Sequence, residues 1–344
     1  MRNTYNPLYA WSTRTQKTPL TVREAQDRLN VIEGDRTWWT NLDPQEIELE
    51  ALDGRNVAIN GILATPHAFN SVKGFVGQSN SPTPTAGGSE DFRRKLAMEE
   101  TCRRTNAALK EWDTERTLSL RIDNRRNLVL GVVTSRYQHL PYTQLLSNIP
   151  NDWIVPRMTV DDGFCEVNVC QPDTNGDSLA FGGRIITSDV ALCRATFLAQ
   201  AMRLVCANGM IGVGELEVIK RFHRVGWTDD AIYMEWDEKT KMFVANFGES
   251  VRVNREQLSL AAKTVTDEHE ATRMLTDLGL GSLRIKAALE YAAREYPLPL
   301  TRYSVGQGVT YTSQMTSREN QRMASARDTM KYDFIATQYM AMVA

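Results

Sequence analysis

The chain has 344 residues, 42% apolar and 24% charged, the balance of a globular protein with a sizeable core and room for one large or two ordinary domains. It holds no run of eighteen apolar residues and its first segment, MRNTYNPLYAWSTRTQK, is polar, which argues against a membrane helix or a signal peptide and leads us to expect a cytoplasmic protein. The net charge of -2 conceals two blocks: Arg93 to Arg136 carries eleven Lys or Arg against six Asp or Glu, and Glu33 to Asp53 carries seven acidic residues and one Arg, so the basic side suits a polyanion or the acidic face of another subunit.

Residues 1–70 read as a loosely structured arm followed by a small helical or mixed unit, with Thr21 as the cap of VREAQDRLNVI and Trp38 and Trp39 as anchors to the main body. Residues 71–89, SVKGFVGQSNSPTPTAGGS, have little to bury and read as a flexible linker and the main boundary. Ser89 then caps EDFRRKLAMEETCRRTNAALKEW, with acidic residues in the first turn and Lys110 near the end, matching the helix dipole.

Residues 90–225 are expected to form an α+β core. TLSLRI and NLVLGVVT, joined by a turn at Asp123 to Arg126, make a hairpin. Leu140-Pro141 opens a short helix, PYTQLLSNI, and WIVPRMTV, FCEVNVC and SLAFGGRIIT follow as a three-strand meander. The run from Ser188 to Met210, SDVALCRATFLAQAMRLVCANGM, is apolar on nearly every face, with Ser188 or Asp189 to cap its start and Asn208-Gly209 to stop it. It reads as one long buried helix whose only charges after Asp189 are Arg194 and Arg203. The expected fold class is therefore α+β, an antiparallel sheet covered by one long buried helix, with a helical C-terminal region.

LEVIKRFHRV is strand-like, and AIYMEWDEKTKMFVANF fits a hairpin slightly better than a helix. The rest of 226–344 reads as mostly helical: REQLSLAAKTV, EHEATRMLTDLG, LRIKAALEYAARE and a final helix within NQRMASARDTMKYDFIATQYMAMVA. Pro297 to Gln314 reads as a polar connector that frees this last helix to pack on a neighbouring subunit.

Few residues suggest bond chemistry. The five cysteines are odd in number and form no CxxC pair, the pattern of free buried thiols. His67, His139, His223 and His269 are scattered, and Asp161-Asp162 and Asp173 with Asp177 sit in turns where Asp serves turn geometry. A metal enzyme would need Asp161, Asp162 and His223 to converge. We expect no enzyme activity, no metal and no cofactor. Gly279-Leu280-Gly281 has the shape of a helix-hairpin-helix turn, but a tight turn with a glycine C-cap accounts for it better. Basic residues interleaved with aromatics make the stronger case, for nucleic acid. Arg121, Arg125, Arg126, Arg136, Arg184, Lys220, Arg221 and Arg224 are the candidate phosphate contacts, and Tyr137 or Phe222 the stacking platforms, with Tyr142 a third aromatic.

LRIDNRRNLVLGVVTSRYQHLPYTQLL resembles the start of phage and plasmid proteins grouped as domain of unknown function family 932, which carry a strand with Leu-Gly-Val-Val-Ser, then a Tyr, then a short helix. Arg203-Leu204-Val205-Cys206-Ala207-Asn208-Gly209 resembles that family's second motif. Arg221-Phe222-His223-Arg224 matches the third, an Arg-His pair, only in part. The resemblance covers Leu118 to Val225. It implies an accessory protein of a phage or plasmid, and the order of hairpin, strands and helix is similar to the core of Rad52-like single-strand annealing proteins. On that reading the chain binds single-stranded DNA and promotes annealing in recombination or replication, as a homo-oligomer. The alternative is a structural or interaction protein of a phage particle or host-takeover complex.

Overall fold

The computed structural model describes residues 11–12, 19–78, 89–112, 115–172, 179–193, 195–203, 208–211, 229–319 and 326–342. In chain order they form β1 (Trp11–Ser12), β2 (Leu20–Thr21), α1 (Val22–Gly34), β3 (Arg36–Leu42), β4 (Leu49–Ala51), β5 (Val57–Ile59), β6 (Ile62–Ala64), α2 (Pro66–Phe75) and α3 (Glu90–Lys110). The strands β7 (Leu118–Asp123), β8 (Leu128–Thr134), β9 (Ile154–Val160), β10 (Cys165–Cys170), β11 (Leu179–Thr187), β12 (Thr196–Arg203) and β13 (Asn208–Ile211) follow. The chain then turns helical, with α4 (Asp229–Ala245), α5 (Phe247–Lys263), α6 (Glu268–Asp277), α7 (Ser282–Glu295), α8 (Arg302–Glu319) and α9 (Ala326–Ala341).

The caps act where the sequence places them. Thr21 and Glu24 close a capping box on α1, the Glu24 amide donating to Thr21 Oγ1 at 3.1 Å and the Thr21 amide to Glu24 Oε2 at 2.8 Å. Ser89 accepts from the Phe92 amide at the start of α3.

The described strands build two sheets. One runs β3-β7-β8-β6-β5-β4, antiparallel except for the β6–β8 pair, and the other runs β1-β9-β10-β11-β12-β13 with β2 also paired to β9. The fold is α+β with antiparallel sheets and a helical C-terminal region. The expected hairpin and meander are both present. Strands from both sides of residues 71–89 share the first sheet, and 71–75 complete α2 with Val72 fully buried. The first sheet packs Leu118, Leu120, Ile122 and Val132 against α2 and α3, and the second packs Val155, Met158, Val167 and Ile185 in one core with α1 and the C-terminal helices.

The long buried helix is not formed. Thr196–Arg203 is instead β12, antiparallel to β11, and Asn208–Ile211 is β13. An apolar run on every face fits a buried strand as well as a buried helix, and here the ladder offered by β11 decides. The pairing is specific: the Phe197 ring lies where a Cβ on Gly183 would sit, 2.1 Å away, an aromatic covering a strand glycine. Ser188 is no helix cap either. Its Oγ accepts from the Val190 and Leu192 amides and donates to Gly163 O, and Ala191 at φ +64° turns the chain out of any helix. What lies over the second sheet is therefore the C-terminal bundle.

Two further expectations are corrected. The segment from Ala231 is helical, because Tyr233, Trp236, Thr240, Phe243 and Phe247 recur at steps of three and four and put one stripe into the core. Most of the connector from Pro297 to Gln314 is α8, which packs between α7 and α9. Its polar residues are buried by back-bonding, Thr310 to Gln307 O and Thr312 to Val309 O. Its glycines make room for its neighbours: a Cβ on Gly308 would stand 2.1 Å from the backbone Ala288 O, and one on Gly306 2.6 Å from the Met340 side chain.

Candidate functional site

The segment Ser188–Leu192 leaves β11 and lodges against the first sheet. Asp189 is fully buried, with Arg36 Nη1 at 2.8 Å and Arg121 Nε at 3.1 Å on the same carboxylate oxygen. Arg36 also donates to Asp161 O and to Tyr142 Oη, and Arg121 to Glu33 Oε1 at 2.6 Å and to Arg36 O. Burial works against the charge on Asp189, but Arg36 and Arg121 overcome it and hold the carboxyl at about 2. Glu33 is likewise held below its ordinary value, against burial, by His139 and Arg121. Next to this network, Arg126 bridges Asp123 and Asp162, while Asp161 is pushed up to about 7 by burial and by its neighbour Asp162.

The next residue fixes a wall. Val190 sits over Gly131, where a Cβ would come within 2.4 Å of it, and joins Leu128 and Leu130 in a small apolar cluster. His67 Nε2 lies 2.8 Å from Val190 O, so this nitrogen carries the proton, and burial keeps the imidazole below its ordinary pKa and therefore neutral. Tyr137 Oη donates to Ser188 O at 2.9 Å and accepts from the Ala191 amide at 3.0 Å. The wall bounds an open cleft of about 840 Å³ between α2, β8 and the start of β7. Phe75, Val132, Val133 and Val190 give it an apolar floor, and Asn41, Ser71 and Thr134 add polar groups. Arg116, Arg136 and Glu115 stand at it exposed, two cations against one anion.

The expected nucleic-acid residues separate into three groups. Arg121 is 1% exposed and Arg184 2%, so these two, expected over the sheet surface, are instead buried counterions: Arg121 to Asp189 and Glu33, Arg184 to Glu166 and Asp333. Arg126 is engaged by its two aspartates, and Tyr142 is a fully buried core residue. Arg125 and Arg136 are exposed and, among the described residues, make no ion pair; they flank β8, whose own length is about 20 Å at the usual rise per residue. Tyr137 and Arg136 both line the cleft. Lys220, Arg221, Phe222 and Arg224 lie outside the described residues, as do His223 and Arg194, and with His223 the Asp161–Asp162–His223 arrangement. Among the described residues no group of three or more His, Cys, Asp or Glu is placed to hold a metal ion.

Sequence reading missed Arg116, His67, Asn41 and Phe75 as cleft residues, and Asp189 as a counterion. Only Asp189 carries a signal, a lone acid at the head of an apolar run, and that signal reads equally as a helix cap. Among the described residues no helix is long and apolar enough to cross a membrane. Comparisons with protein-family models, curated proteins and solved structures find no match to this chain.

Proposed function

We propose that this chain is a non-enzymatic protein that binds single-stranded DNA, acting as a homo-oligomer in annealing during recombination or replication of a phage or plasmid in the host cytoplasm. Annealing breaks and forms no covalent bond; it needs cations to neutralise phosphates while base edges stay free to pair. The observation that carries the reading is the state of the arginines. Most basic side chains of the strand region and of α3 are matched by carboxylates, as in Arg94–Glu90, Arg103–Glu100 and Arg104–Glu100, whereas Arg116, Arg125 and Arg136, like Arg93 and Lys110 of α3, are exposed and make no ion pair among the described residues.

The test is anisotropy of a labelled oligothymidylate across a salt series. Three phosphate contacts give a slope of log K against log salt near -2, about 0.7 per contact, and Arg125→Glu with Arg136→Glu removes most of it. A flat salt response, or no binding at low salt, refutes the proposal. Arg126 is left unchanged because its loss would strand Asp123 and Asp162.

A second reading, an interaction protein of a phage particle or takeover complex, is favoured by apolar side chains exposed on the C-terminal helices and their connections. Met234, Val265, Leu283 and Leu298 are 58–85% exposed. It predicts that Leu283→Lys or Leu298→Lys changes the mass seen by light scattering and leaves oligonucleotide affinity alone.

A further inference from the structure

We propose that the cleft beside Val190 is a mononucleotide site: it takes one unpaired nucleotide, the base against Phe75 and the valine floor and the phosphate on Arg116 and Arg136. For a nucleotide within a strand this rests on the single-strand reading above; for a free nucleotide it does not.

The shape, charge and backbone of the cleft each point there. Its volume, about 840 Å³, lies in the range of small-ligand sites and exceeds what one nucleotide fills. The floor is apolar and carries one aromatic ring, the surface on which a base stacks without regard to its identity. Asn41, Ser71 and Thr134 supply the donors and acceptors that a base edge needs. His67, held neutral, adds no charge. Two guanidiniums less the Glu115 carboxylate leave a net charge of +1, and a planar guanidinium fork matches phosphate oxygens.

The backbone is committed to this shape. Of the described non-glycine residues with positive φ, two line the cleft: Asn41 at +58° and Ala191 at +64°. Alanine gains nothing from a left-handed conformation, and strain of this kind persists where surrounding structure enforces it. Here the enforcing contacts are the Tyr137 hydroxyl on the Ala191 amide and the His67 ring on Val190 O. The wall is thus set before a ligand arrives, which lowers the ordering cost of binding.

The experiment is calorimetric titration of the full chain with thymidine 5′-monophosphate, thymidine and inorganic phosphate, followed by oligothymidylate. The expected result is saturable binding of the monophosphate, weakened about tenfold or more by Arg116→Ala with Arg136→Ala and by removal of the phosphate from the ligand. Gly74→Trp abolishes it, since Gly74 lines the cleft and a Cβ there meets nothing within 4 Å, and an unchanged urea midpoint of this variant shows that α2 is intact. Absence of saturable monophosphate binding overturns the site, as does binding that survives Gly74→Trp or that inorganic phosphate reproduces at equal affinity. Those results stand whatever the oligonucleotide does. Monophosphate binding without oligothymidylate binding upholds the site as one for free nucleotide and removes the single-strand reading instead.

Discussion

Replacing Asp189 by Asn keeps the shape of the side chain and removes only its charge, so the variant isolates what the carboxylate does between the two sheets. Asn mimics the protonated acid, and the folded protein prefers the ionised form: a carboxyl at about 2 against an ordinary 3.8 corresponds to about 2 kcal/mol, which sets the lower bound of the loss. The upper range comes from the partners left behind. Arg36 and Arg121 have fully or almost fully buried side chains, and among the described residues D189N leaves them one ion-pair partner, Glu33, which bonds Arg121 and not Arg36. Removing one member of such a buried set costs about 3–5 kcal/mol. Urea unfolding followed by tryptophan fluorescence measures this, with the midpoint lowered and the slope unchanged. Adding Arg36→Met to D189N should recover part of the loss, because it removes a stranded cation. A loss below about 1 kcal/mol, or a double variant as unstable as the sum of the singles, refutes the claim that these charges hold the sheets together as one unit.

Acid and base act on different carboxylates. Asp189 and Glu166 are both held at about 2, so their contribution is present above about pH 4 and lost as the pH falls toward 2, which acid titration of the far-ultraviolet signal reports. Asp161, raised to about 7, has the opposite sign: its contribution is complete below about pH 4 and lost as the pH rises through 7. Asp161→Asn should therefore match the wild type in Tm at pH 4 and exceed it at pH 8. Gly308→Ala should destabilise by about 1–3 kcal/mol in urea despite the better helix propensity of Ala, because Ala288 O occupies the place of the new methyl, while Gly248→Ala, in open space, should be neutral or slightly stabilising.

What could be read from the sequence was whatever local chemistry decides. The Thr21 and Ser89 caps, the β7–β8 hairpin and the β9–β11 meander rest on capping side chains and alternation within a few residues, and they are present. The segment Ser188–Met210 is misread because its composition, rich in Ala, Leu and Met, favours helix, while its conformation is set by β11, whose Gly183 receives Phe197. The stripe in α4 was present at helical spacing and was outweighed by alternation over a shorter window. In α8 the polar residues hid burial, since Thr310 and Thr312 satisfy their hydroxyls within the helix. The cleft was half legible. Arg136 and Tyr137 follow from their place after a strand, but Arg116, Asn41 and His67 come from three other stretches of chain and meet only through the sheet.

The counterion arrangement also governs how the chain can be cut. The first sheet has its own apolar core with α2 and α3 and would pass for an autonomous unit, yet its inner face carries Arg36 and Arg121, whose shared carboxylate arrives 153 and 68 residues later. Any fragment ending before Ser188 keeps both guanidiniums and lacks Asp189. During synthesis the same order applies: the N-terminal sheet can collapse early with Glu33 beside Arg121, but Arg36 gains its carboxylate only after β11 has emerged and the turn beyond it has reached back.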